Sequence, residues 1–174
     1  PMKISTAIEI KFGLLISVFT LVWIVFEQLL GLQDEYIEWH KIVTNFSLLI
    51  PIIGIWLALK EFKMARISKY TFQKGFAIGF RITLINTLLI IPTIYLFYEF
   101  INPEWTFTMM SKAKTEALTK GLDPTNSVEE ARLYFGFKYY LIQSIVSTFI
   151  FGTLISSIIA FFVKNRGKSK NSWS

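Results

Sequence analysis

The chain has 174 residues, 53% of them hydrophobic and 17% charged, where an ordinary soluble domain carries about a quarter charged. It has no cysteine, which excludes disulfides, thiolate metal sites and thiol catalysis. Its net charge is +6, and a soluble domain of this length cannot bury four long apolar runs that lipid can solvate instead.

Pro1 precedes Met2 and reads as the scar of a cleaved tag. A membrane-spanning helix needs about 20 mostly apolar residues at 1.5 Å each. The runs 12–31, 42–59, 75–97 and 139–163 qualify, and the helices containing them are expected over about 9–31, 42–60, 73–98 and 127–163. The first run is too long for a cleavable signal and no small-residue cleavage site follows it. Pro51 and Pro92 fall inside the second and third spans, and each predicts a kink.

The segment between the third and fourth spans is too long to be a plain connector. Pro103 can start a helix and Gly121 can end it, giving an amphipathic helix over about 104–120. Trp105, Met109, Ala113 and Ala117 form its apolar stripe, with Lys112, Lys114 and Lys120 off it. Such a helix lies on the membrane or the bundle, or forms a short solvated hairpin. Asp123-Pro124 marks a turn. Ser127 and Glu130 fit a capping box, starting a helix that runs unbroken into the fourth span.

Orientation follows from the loops. Segment 60–74 carries Lys60, Lys63, Arg66, Lys69 and Lys74 against Glu61, and the tail carries Lys164, Arg166, Lys168 and Lys170. The start carries Lys3 and Lys11 against Glu9. The other two connections hold most of the acids, with Tyr and Trp near their membrane edges. Basic residues stay inside. All three basic regions share one side if four spans place both ends in the cytoplasm. The fold class is therefore an all-α, four-helix membrane bundle, N-in and C-in, with a structured helical outer loop.

Charges within a span are costly and mark candidate sites. Glu27 lies about 6 Å inside the outer end of helix one, within reach of a pair with Lys138 near Gln143 on helix four. Arg81 lies about 9 Å into helix three and can snorkel or pair with Glu9. Alternatively, Arg81 joins Lys11 and Lys74 in holding an anionic headgroup at the cytoplasmic side. Asn86 needs a partner on another helix. Gly75 with Gly79, and Gly54 with Ala58, permit close helix approach. His40 reads as an interface residue. No phosphate loop, nucleophile elbow or metal motif is present, so no catalytic residue, cofactor, metal or nucleic-acid partner is expected.

Four stretches carry a resemblance: Ile8-Glu9-Ile10-Lys11-Phe12-Gly13-Leu14, residues 26–35 with Glu27 and Gly31, Tyr70-Thr71-Phe72-Gln73-Lys74-Gly75-Phe76, and Tyr139-Tyr140-Leu141-Ile142-Gln143-Ser144. Together they resemble DUF4199, a family of small bacterial membrane proteins found mainly in Bacteroidota and without an assigned function. The resemblance spans most of the chain from Glu9 to Val163 and implies a four-span inner-membrane protein. It singles out Glu27, Lys74, Gly75 and Gln143. The expected function is a non-enzymatic accessory or scaffold subunit that binds membrane lipids and a membrane partner, with a lipid-linked glycosyltransferase as one candidate. The alternative is a lipid or lipid-linked-sugar flippase, or a small-solute transporter, acting as a homo-oligomer.

Overall fold

The structure, a computed structural model, describes residues 2–65 and 69–165. Pro1, Arg66, Arg166, Lys168 and Lys170, and the side chains of Lys3 and Lys164, lie outside the described residues. The remainder is helical: α1 (Met2–Leu29), α2 (Ile37–Val43), a 3₁₀ segment (Thr44–Leu48), α3 (Leu49–Met64), α4 (Phe72–Leu96), a π segment (Phe97–Ile101), α5 (Trp105–Thr119), α6 (Pro124–Tyr134) and α7 (Phe137–Asn165). Four stretches are long and apolar enough to cross a membrane: Ile4–Leu29, Ile37–Met64, Phe72–Ile101 and Phe137–Val163. Large apolar side chains such as Phe19, Leu88, Phe100 and Phe162 cover the outside. A monomeric soluble protein rarely exposes so continuous an apolar surface, whereas lipid accepts it.

Helix α1 packs against α3 and α4, and α7 packs against the same two. The helices α1 and α7 therefore occupy opposite corners of the bundle. The start of α1 and the end of α7 share one end, called here the basal end. The antiparallel α5–α6 hairpin covers the other, the capped end.

The basal half holds the apolar core. Ile8, Phe12 and Ile16 of α1 meet Ile55, Leu59 and Phe62 of α3, Ile78 and Ile82 of α4, and Ile159 and Val163 of α7. Small residues let the backbones approach, which matters because lipid gives helices no hydrophobic reason to associate. The seam between α4 and α7 is reciprocal. A Cβ on Gly75 would meet the Ala160 Cβ at 3.3 Å, one on Gly79 the Ser156 Cβ at 2.8 Å, and one on Gly152 the Thr83 Cγ2 at 2.5 Å. The Thr83 and Ser156 hydroxyls lie 3.3 Å apart across the same seam. Gly54 faces Ile16 in the same manner, and Ala58 is fully buried. The small-residue motifs thus pack helices within one chain.

Polar contacts close the basal end. Lys11 pairs with Glu61 at 2.8 Å, and the Lys63 ammonium donates to the Val163 carbonyl at 2.7 Å. The Tyr70 hydroxyl donates to the Ala160 carbonyl at 3.3 Å, and burial pushes its pKa up to about 12, so the phenol stays protonated.

Three local features depart from the sequence expectation. The second span begins at Ile37, because α2 and the 3₁₀ segment extend it beyond residue 42. Pro51 falls in the first turn of α3 rather than mid-helix, where its missing N–H costs least. The irregular backbone lies just before it, in Thr44–Leu48. In the third span Pro92 sits within α4, and the backbone widens five residues later into the π segment.

The hairpin differs too. Helix α6 starts at Pro124, three residues before Ser127, because Asp123 caps it through the Thr125 amide at 3.0 Å and Pro124 is pre-set for the first helical position. These bonds hold the Asp123 carboxyl below its ordinary range. Nor does this helix run unbroken into the fourth span. It stops at Tyr134, and α7 begins afresh at Phe137. The break falls at Gly136, where a Cβ would meet the Arg132 carbonyl at 2.8 Å. The Phe135 carbonyl then accepts from the Tyr98 hydroxyl at 2.6 Å and the Thr106 hydroxyl at 2.8 Å, tying the end of α6 to the π segment and to α5. Gly121 ends α5 as expected. At φ +69° it lets the Leu122 amide reach the Ala117 carbonyl and its own amide reach Leu118.

Candidate functional site

The charges singled out in the sequence divide into two layers. In the basal layer Arg81 donates to Glu9 at 2.9 Å, and Ser5 donates to the same carboxylate oxygen at 2.8 Å. The expected cluster of Arg81, Lys11 and Lys74 around an anion does not form. Arg81 is held by Glu9 and Lys11 by Glu61, while the Lys74 ammonium donates to the Lys69 carbonyl at 3.4 Å. Asn86 serves as helix glue, accepting from Ser17 of α1 at 2.8 Å.

The Glu9–Arg81 pair makes a simple prediction. Glu9 is buried and Arg81 is half-exposed, so Arg81→Met leaves a buried carboxylate with only Ser5. The expected cost is about 1–3 kcal/mol, and adding Glu9→Gln recovers part of it. Thermal melts of the two single variants and the double variant in one detergent measure this. Strict additivity would mean that the pair contributes no coupling.

The capped layer is different. Glu27 lies in the last turn of α1, where Gly31 at φ +68° reverses the chain and the Leu32 amide caps the Glu27 carbonyl. The turn brings Gln33 back beside the carboxylate. Trp23 Nε1 donates to Glu27 at 2.9 Å and Gln33 Nε2 at 3.5 Å, and Thr44 lines the same space. Glu27 is 2% exposed. The expected Lys138 partner is not there: Lys138 is exposed and makes no ion pair among the described residues, because α1 and α7 stand diagonally across the bundle. Among the described residues no cation pairs with Glu27.

What separates Glu27 from α7 is a cavity of about 490 Å³. Glu27, Gln33, His40 and Thr44 line one side, and Gln143, Ser144 and Ser147 of α7 line the other. Aromatic rings fill in between: Trp23, Phe97, Trp105, Tyr140 and Phe151. No lysine or arginine lines it. Gln143, matched to Glu27 in the sequence, does share this space, though as a facing wall rather than a partner.

Four buried side-chain polar atoms lack a hydrogen-bond partner among the described residues: Gln33 Oε1, His40 Nδ1, Trp105 Nε1 and Gln143 Oε1. All four residues line this one cavity. Buried polar atoms are nearly always satisfied, and clustered exceptions mark a place that takes water or a ligand. Gln33 and Trp105 are each 2% exposed.

His40, expected as an interface residue, instead lines the cavity beside Trp105. His40 lies edge-on to Trp105 with ring centroids 5.3 Å apart. Trp105 opens the expected apolar stripe of α5 and packs on the bundle, the second of the expected placements, where it plugs the bundle end against Phe97, Phe135 and Tyr140. The Lys112–Glu38 ion pair at 2.8 Å and the Asn102–Gln28 hydrogen bond at 3.0 Å hold the hairpin and α2 around it. Among the described residues no three His, Asp or Glu side chains gather as a metal-ligand set.

Over residues 11–165 the chain matches a family described as protein of unknown function (DUF4199). No curated protein and no solved structure matches it. The chain belongs to the DUF4199 family, and it is a multi-pass membrane protein.

Proposed function

We propose that this DUF4199 protein is a binding protein for a small polar molecule or headgroup, held non-covalently in the cavity at the capped end. The observation that carries this reading is the convergence of four unpartnered buried polar atoms and the cation-free Glu27 on one space. A volume near 490 Å³ falls within the range of small-ligand sites, about 300–1,000 Å³, and mixed aromatic and polar walls are typical of them. The accessory-subunit reading, with a lipid-linked glycosyltransferase as partner, has no comparable set of residues behind it. Transport asks for a path through the basal half, which the apolar core fills. Binding is therefore the reading the geometry favours.

The reading places the protein in a bacterial inner membrane with both ends cytoplasmic. It is supported by the bases Lys11, Lys60, Lys63, Lys69 and Lys74 around the basal end. The cavity then lies in the outer half of the membrane, beneath the α5–α6 hairpin.

Trp23 and Trp105 line the cavity and report on it. Purified protein in lipid nanodiscs, titrated with a panel of small amines, polyols and phosphates, is expected to show a saturable change in tryptophan fluorescence with at least one class. Changes that grow linearly with every solute, without saturation, would contradict the reading.

A further inference from the structure

The chemistry of the cavity wall is lopsided, and this narrows the ligand class. Three oxygen acceptors face the space, the Glu27 carboxylate, Gln33 Oε1 and Gln143 Oε1, and His40 Nδ1 accepts or donates according to its tautomer. The Gln33 orientation follows from its partners, since its Nε2 donates to the Ile24 carbonyl at 3.3 Å and to Glu27. One unpartnered group can only donate, the Trp105 indole N–H. Of the other acids within the four spans, Glu9 pairs with Arg81, Glu61 with Lys11 and Glu38 with Lys112, and Glu99 is exposed. Among the described residues Glu27 alone is a buried acid without a paired base, and a buried carboxylate is costly unless a positive charge or a proton neutralises it.

An anion is disfavoured, because no lysine or arginine lines the space and three acceptors would repel it. A neutral polyol would satisfy the amides but leave Glu27 uncompensated. A bare inorganic cation would find oxygens but would leave five aromatic rings and the indole N–H without a role. An ammonium has three donors and no acceptor, which matches the three oxygens. The aromatic rings of Trp23, Phe97, Trp105, Tyr140 and Phe151 in the lining also suit a cation. A hydroxyl or ether oxygen next to the ammonium would take the Trp105 proton.

We propose that the cavity recognises a protonated amino alcohol, with Glu27 as counter-charge, Gln33 and Gln143 accepting from its N–H and O–H groups, and Trp105 donating to its oxygen. This rests on the binding function argued above. The same chemistry occurs in a free amino sugar or ethanolamine and in an ethanolamine lipid headgroup, and the volume admits any of them.

Matched probes test it. Protein in phosphatidylglycerol nanodiscs is titrated with glucosamine against glucose, with ethanolamine against ethylene glycol, and with sodium chloride alone. The amines are expected to bind at least tenfold more tightly than their neutral partners, with Glu27→Gln removing that preference. Adding phosphatidylethanolamine to the nanodiscs separates the sources. Loss of affinity for the free amines supports the lipid headgroup as occupant, and unchanged affinity supports the free amine. If Glu27→Gln does not fold, Gln143→Met on the opposite wall carries the test, with amine affinity expected to fall several-fold and unchanged affinity overturning the assignment. Equal binding of glucose and glucosamine, or saturation by sodium alone, also overturns it while leaving the cavity a binding site. Binding of none of the probes or lipids overturns both.

Discussion

Replacing Gly79 by leucine is expected to lower the melting temperature by about 10 °C or to abolish folding. The seam between α4 and α7 has no slack at this position: a Cβ already falls 2.8 Å from the Ser156 Cβ and 3.3 Å from its Cα. Leucine adds three further carbons, so the helices must part. Gly75 against Ala160 and Gly152 against Thr83 lie on the same seam and would open with it. Overpacking of this kind costs about 1–3 kcal/mol where neighbours can yield, and more where the obstacle is backbone. Van der Waals contact is the main force joining helices in lipid, so little else compensates. The check is a melt followed by tryptophan fluorescence in one detergent, with the outward-facing Leu88→Ala as the control expected to change little. Parental stability for Gly79→Leu would mean that the seam does not carry the bundle.

Trp105 yields the second large effect, and two substitutions separate its roles. Its side chain is fully buried between His40, Phe97, Phe135 and Tyr140. Trp105→Ala removes that plug at an expected cost of about 3–5 kcal/mol. Much of the cost should appear as release of the α5–α6 hairpin, because Trp105 is its buried anchor in the bundle. Hydrogen exchange is then expected to rise across Trp105–Thr119 and Pro124–Tyr134 while the basal halves of α1, α3, α4 and α7 stay protected. Trp105→Phe keeps an aromatic ring and loses the unpartnered N–H. It is expected to stay within a few degrees of the parent in stability yet to bind the cavity ligand more weakly. Equal ligand affinity for Trp105→Phe and the parent would remove the indole from recognition.

The membrane architecture was legible because length and apolarity alone decide whether a helix can span. The Glu9–Arg81 pair was legible for a related reason: both residues sit at the same depth on adjacent spans, and depth can be counted along a helix. Depth also suggested Glu27 with Lys138, and there it failed. Counting along helices does not say which helices are neighbours, and α1 and α7 prove to be diagonal. The Gly136 break was hidden because a single glycine in an otherwise helical pattern is ambiguous. The cavity was the least legible feature. It requires the turn at Gly31 to return Gln33 to Glu27, the 3₁₀ segment to bring in Thr44, and the hairpin to seat Trp105 at the bundle end. Each is a tertiary placement of a residue that is unremarkable in its local sequence. One signal was available: Glu27 lies within an apolar span with no base on its own helix within a turn.

The central claim is that the capped end holds a small polar ligand between Glu27 and α7. An experimental structure of the protein in native-lipid nanodiscs, at a resolution that shows ordered water, tests it most directly. The account predicts density larger than water within hydrogen-bond reach of Glu27, Gln33 Oε1 and Trp105 Nε1. A Glu27 carboxylate in direct contact with Lys138, with Gln143 closing the space between α1 and α7, would contradict it.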